Sequence, residues 1–218
     1  MALISFSAKA VHADGAVLSN IGGGGYYTVP LTSLKKSKLT DIEIQQYDFS
    51  CGSAALATLL TYHYRRPVGE KDVFQSMFAN GDQPKIVREG FSMLDMKEYL
   101  ERVGLAADGY KVSLDKLADL GVPVITVIET KGYKHFVIIK GIKDDRVLIG
   151  DPAAGNRVES RSNFESHWDQ AVFIVKSDAQ YAQTTFNQDR EWAVLAKAPI
   201  GLTFHEQGLV AGSSGAPF

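Results

Sequence analysis

The sequence predicts an α+β fold in which a helical first half packs on one side of an antiparallel β-sheet built from the second half. Two observations carry this. From Ser50 to Leu120 apolar residues recur at helical spacing. After Pro123 the pattern changes to short β-rich runs separated by turn residues, so that successive runs pair antiparallel.

The first helix is expected from Ser50 to about Tyr64. Ser50 stands at the N-cap, and Ala54, Ala55, Leu56, Leu59 and Leu60 form a broad apolar face. Arg65-Arg66-Pro67 ends it, because the residue before a proline is pushed out of helical geometry. A second helix spans Glu70 to Phe78, with Val73, Phe74 and Met77 on one face. Ser92 to Asp95 reads as a capping box ahead of Met96, Tyr99, Leu100 and Val103, and Gly104 stops that helix. Ser113 to Leu120 is one more, with Gly121 at its end. The strands are Val124 to Ile128, His135 to Ile142, Arg146 to Ile149 and Ala171 to Val175, with Asp144-Asp145 as a tight hairpin turn.

Upstream, Tyr26 to Leu31 reads as a short edge strand, limited by Pro30, within a loose stretch that holds Gly22-Gly23-Gly24-Gly25. Residues 1–13 carry part of a secretory signal pattern. The stretch Ala2 to Ala8 is short and apolar, and Val11-His12-Ala13 has the small-x-small form of a cleavage site. An ordinary N-terminus is the other reading. On the first reading the protein works in the periplasm or is secreted, and on the second it is cytoplasmic. The division expected is 1–13 as a truncated signal segment, 14–43 as an N-terminal extension, 44–176 as the main domain and 177–218 as a C-terminal appendage, in which Trp192 to Leu195 is apolar enough to dock.

The 218 residues are 45% hydrophobic and 22% charged with a net charge of −2, ordinary soluble-globular composition. The densest basic spot is Lys35-Lys36 with Lys38, too little for phosphate binding, so nucleic acid is not an expected partner. No apolar run reaches transmembrane length. A single cysteine excludes both an internal disulfide and a multi-cysteine zinc site.

That cysteine, Cys51, falls where the first helix begins. It is either a small buried hydrophobe or a catalytic thiol. Unpaired N–H groups at a helix N-terminus favour negative charge and so a reactive thiolate. Gly52 leaves room for a substrate carbonyl to reach the Cys51 N–H, and a glutamine amide just upstream could supply a second donor to an oxyanion. His63 lies three turns along the same helix, too far to touch Cys51, and His167 and His205 fall in loop or tail contexts. His135, at the mouth of an apolar strand, either marks its solvent end or serves the thiol as base. Asp151-Pro152 is either a turn after a strand or the carboxylate that orients the imidazole. A hairpin turning near residue 143 would set His135 beside Asp151 across the ladder.

These residues together resemble the bacteriocin-processing, double-glycine leader peptidases, family 39 of the cysteine peptidases. Gln45 precedes the Cys51-Gly52 pair by six, and Asp151 follows His135 by sixteen. The resemblance covers roughly 44–176 and implies a papain-like fold and a cysteine endopeptidase. It implies Cys51 as nucleophile, His135 as general base, Asp151 as its orienter and Gln45 as oxyanion donor, with Gln46 as the fallback. No metal or organic cofactor is required. The implied partner is a peptide or protein substrate. No transporter membrane domain follows, so the chain resembles the small stand-alone secreted members beside outer-membrane secretion systems, including those for functional amyloid. The rival readings are a non-cleaving peptide-binding module of a secretion system and a transglutaminase-like acyltransferase. Leu18 and Ile21 ahead of Gly24 further suggest a segment that is self-cleaved or occupies its own active site.

Overall fold

The computed structural model describes residues 15–19, 26–30, 38–130 and 132–195. The partial signal pattern, the glycine run, Lys35-Lys36, His205 and the end of the chain lie outside the described residues. In the N-terminal stretch, β1 (Gly15–Ser19) pairs antiparallel with β2 (Tyr26–Pro30), with Ser19 opposite Tyr26. The expected strand is therefore present, and it has a partner the sequence did not announce.

The helical block is α1 (Cys51–Thr58), α2 (Glu70–Asn80), α3 (Gln83–Glu89), α4 (Met93–Arg102) and α5 (Leu114–Leu120). Every residue of α1 is buried, because Ala54, Ala55 and Ala57 let neighbours approach on all sides. The helix runs on through a π-helical turn, Leu59–His63, and breaks at Arg65, which takes φ 53°. The capping box of α4 is present: Ser92 Oγ accepts from the Asp95 N–H, and Asp95 accepts from the Ser92 N–H at 2.7 Å. Gly121 closes α5 in the left-handed conformation that glycine takes without strain.

The sheet has six antiparallel strands in the order β3-β8-β4-β5-β6-β7. These are β3 (Ala107–Lys111), β4 (Val124–Thr130), β5 (Tyr133–Lys143), β6 (Arg146–Asp151), β7 (Gly155–Ser160) and β8 (Trp168–Val175). Four were expected. β3 and β7, the two edges, were not. Edge strands need only one apolar side, and Ala-Asp-Gly-Tyr-Lys and Gly-Asn-Arg-Val-Glu-Ser carry almost no alternation to read. The short helices α3, α6 (Arg161–Ser166), α7 (Ala179–Thr184) and α8 (Asp189–Leu195) also went unforeseen.

The core lies between the helices and the sheet. Leu56, Leu59, Leu60, Val73, Met96 and Leu100 meet Val137, Ile139, Ile149 and Phe173. Each large side chain so buried contributes on the order of 2 kcal/mol. Residues after β8 join this core through Ala182 and Phe186.

One polar group interrupts it. Lys140 on β5 has 0% exposure, and its ammonium donates to the Asp41 carbonyl at 3.2 Å, to Asn156 Oδ1 at 3.3 Å and to Glu191 Oε1. An ammonium has three hydrogens, so all three are used.

Candidate active site

Ser50 occupies the N-cap of α1 but makes no side-chain cap bond, contrary to expectation. Its hydroxyl turns back instead, accepting from the Tyr47 N–H at 3.2 Å and donating to the Tyr47 carbonyl at 3.0 Å. The loop before the helix is thereby fixed, and the first-turn N–H groups are left uncovered by that side chain. Such groups are a ready site for developing negative charge. Cys51 is the first residue of this turn and is 6% exposed.

Gly52 follows, in close quarters. A Cβ would stand 2.9 Å from Met96 Cε, 3.1 Å from Phe91 Cβ and 3.4 Å from Phe136 on β5. The start of α1 is thus pressed against the strand that carries His135.

His135 Nε2 lies 2.7 Å from Asp151 Oδ1, and the Cys51 side chain is near enough to act on the imidazole. With Nε2 facing the carboxylate, Nδ1 is the nitrogen available to the thiol. Burial alone would depress the His135 pKa, but Asp151 and Cys51 outweigh it and hold it up at about 9. Burial likewise pushes Asp151 up. The imidazole, the Ala153 N–H at 2.9 Å and the Arg157 guanidinium more than offset this, leaving the carboxyl below its ordinary range.

The hairpin turn falls at Asp144-Asp145, as expected, but His135 and Asp151 are not directly paired. Ile138 pairs with Gly150 and Lys143 with Arg146. Continued outward, this register sets Asp151 opposite Val137, two residues from His135. Because side chains alternate with a period of two, a shift of two keeps both groups on one side of the sheet as diagonal neighbours. A one-residue error would have separated them.

Gln45 is half-buried beside this pair, since its backbone N–H donates to the Pro152 carbonyl at 3.0 Å. Its amide donates one hydrogen to the Tyr47 carbonyl at 3.0 Å, and its Oε1 is buried with no hydrogen-bond partner among the described residues. Gln46, the fallback, is exposed. His63 is buried elsewhere, with Nδ1 2.8 Å from Thr185 Oγ1, and burial with the nearby charges of Lys140 and Arg190 drives its pKa down to about 3. His167 faces Glu159 at 3.1 Å.

Two residues went unnoticed in the sequence. Arg157 Nε lies 3.4 Å from Asp151 Oδ2, on an edge strand with no periodic signal. Tyr133 donates its hydroxyl to the Asp48 carbonyl at 3.1 Å across the approach to Cys51. Burial, then the proximity of Cys51 and Asp48, raises the Tyr133 pKa. A cleft of about 590 Å³ opens here, bounded by Phe49 and Cys51, by the segment from Lys85 to Met93, and by Gly132 to Lys134 and Phe136.

The sequence pattern of the Peptidase C39 family matches residues 40–180, well over half of the chain. The chain belongs to the Peptidase C39 family. Over 158 residues, 72% of this chain and 70% of its relative, the C39 peptidase is 42% identical to the probable functional amyloid protease FapD of Pseudomonas fluorescens. Among solved structures, it resembles a double glycine motif protease from an AMS/PCAT transporter in complex with its leader peptide, at 26% identity and TM-score 0.51. That match covers 62% of this chain and 89% of the other. The peptidase domain of Streptococcus ComA matches at 21% identity and TM-score 0.53, over 62% of this chain and 96% of that one, and speaks for the fold alone. The helix-on-sheet architecture is therefore the papain-like fold of C39 peptidases, and the protein is a cysteine peptidase. No helix among the described residues is long and apolar enough to cross a membrane.

Proposed function

We propose that this C39 peptidase is an endopeptidase whose reaction runs through Cys51, His135 and Asp151, with Gln45 assisting. One observation carries the reading: an imidazole bonded to a buried carboxylate neighbours the cysteine at the start of a buried helix. His135 takes the thiol proton, and the Cys51 sulfur attacks the scissile carbonyl carbon. The carbonyl oxygen becomes an oxyanion, held by the Cys51 N–H and by the second amide hydrogen of Gln45. As the C–N bond breaks, His135 gives its proton to the leaving amine, and a thioester remains. Water then attacks the thioester while His135 takes its proton. The C–S bond breaks, the acid leaves, and the proton returns to the sulfur–imidazole pair. Asp151 fixes the ring so that Nδ1 faces the sulfur, and Arg157 holds the other carboxylate oxygen.

The substrate class we propose is a secreted peptide or protein carrying a double-glycine-type leader, or a component of a secretion or amyloid-export system. The setting is the periplasm or the exterior. The named relatives and the bound leader peptide of the AMS/PCAT protease support this. Mass spectrometry of a Gly-Gly leader peptide and of candidate secreted proteins tests it, using wild type against Cys51→Ala. Fragments should arise with wild type alone, and equal fragments from both would sink the proposal. A peptide carrying a thiol-directed warhead should label Cys51, which a pure binding module would not require. Products should have the mass of the free acid even with added amine, as a transferase would not give.

A further inference from the structure

The segment after β8 has no part in the chemistry above, and much of it lies beyond the 40–180 family match. It touches the continuation of the nucleophile's helix, the strand of His135 and the arm that leads into Gln45. Thr185 Oγ1 meets His63 at the end of the nucleophile's helix. The Asn187 N–H donates to the Lys140 carbonyl at 3.0 Å, and its side-chain amide donates to the Ile142 carbonyl at 3.0 Å, both on the strand of His135. That docking needs Gly141, where a Cβ would stand 2.4 Å from Asn187 Oδ1. The segment is thus anchored to the helix-and-sheet body.

From this anchor α8 reaches toward the arm that leads into Gln45. Arg190 pairs with the Asp41 carboxylate, and Glu191 holds the Lys140 ammonium, which donates to the Asp41 carbonyl. The arm is also held by the buried Ile42 side chain and by single hydrogen bonds, among them Asn156 Nδ2 to the Thr40 carbonyl, the Glu43 N–H to Thr58 Oγ1, Tyr62 Oη to Glu43, and the Gln45 N–H to the Pro152 carbonyl. A buried ammonium–carboxylate pair adds little net stability over apolar packing, yet it fixes geometry tightly.

We propose that α8 is a brace for the active site, with Arg190, Glu191 and Lys140 as positioning residues that hold the Gln45 arm in place relative to the Cys51–His135 pair. This rests on the oxyanion role given to Gln45 above.

The test is a mutant cycle on the full chain with a cleaved peptide, reading kcat, KM and the rate of Cys51 alkylation by iodoacetamide. Arg190→Ala, at an exposed side chain, and Glu191→Gln are each made in wild-type and Gln45→Ala backgrounds. Misplacing an oxyanion donor weakens an interaction made in the transition state. Each brace variant should therefore lower kcat about tenfold with KM little changed. Alkylation, which does not involve Gln45, should keep its rate. In the Gln45→Ala background the brace variants should cost nothing further, because the group they position is gone. An equal loss in both backgrounds, slower alkylation, or an unchanged kcat in both brace variants would overturn the brace. A Gln45→Ala enzyme with undiminished kcat would instead overturn the oxyanion role, and the brace with it.

Discussion

Two polar clusters sit on β5 five residues apart, and they are built to opposite ends. At Lys140 every hydrogen of the ammonium has a partner, and the one gap is Glu191 Oε2, buried without a partner among the described residues. At His135 one ring nitrogen is held by Asp151 while the other faces a thiol, beneath helical N–H groups that Ser50 does not cap. The two buried histidines repeat the contrast. His63, with a threonine hydroxyl beside it and cations nearby, is pushed down to about 3, whereas His135, between a carboxylate and a sulfur, is held up at about 9. A closed network fixes shape. An open one keeps capacity for a transition state.

The sharpest way to break this contrast is to remove the open cluster. Cys51→Ala or His135→Ala should lower kcat by at least about 10³-fold, and the Cys51 variant should keep a near wild-type melting temperature. Peptide turnover and calorimetry on the same samples check both halves. The closed cluster should respond the other way. Lys140→Met leaves Glu191 as an unpaired buried carboxylate and should destabilise by about 3–5 kcal/mol in urea unfolding, and Lys140→Met with Glu191→Leu should recover most of that loss.

Asp151→Asn lies between the extremes, with a fall in kcat of about 10²-fold. Its pH profile is the sharper readout. In the proposed mechanism a protonated His135 releases the amine, so kcat/KM should decline as pH rises through about 9, and the asparagine should bring that limb down toward the ordinary imidazole range. The same raised pKa contributes stability that is present in full below about 6.5 and is lost as pH rises through about 9.

The effect at His63 is confined to acid pH, and its sign is reversed. Its folded pKa is depressed, so between about 6.5 and about 3 the unfolded chain binds the extra proton. Stability should then fall as pH falls, by up to about 1.4 kcal/mol per pH unit. Urea unfolding of wild type and His63→Leu from pH 7 to 4 checks this, and the leucine variant should show the shallower decline.

Periodicity and local chemistry made part of this molecule legible in its sequence. α1, α2, α4 and α5 could be read there, as could the four inner or apolar strands, since each presents a repeating apolar face. Cys51 stood out by its place at a helix start, and His135 with Asp151 by an expected direct pairing, two residues off the observed register, together with a resemblance to known peptidases. The edge strands did not show, because Gly-Asn-Arg-Val-Glu-Ser has no periodic side. Arg157 stayed hidden with its strand. The bond that Ser50 makes back to Tyr47, in place of a cap, depends on loop geometry that composition does not encode. Lys140 reads as a polar slip in an apolar run, and Glu191, fifty-one residues away, cannot be matched to it without the fold.

The parity of the β5–β6 hairpin has a consequence for chain-length editing. Excising one residue between Arg146 and Gly150 would swing the carboxylate of Asp151 through to the far side of the sheet, out of sight of the imidazole. Excising two would slide it a single rung while leaving it facing the same way. Facing thus survives only an even change, and the 2.7 Å contact with His135 survives neither excision.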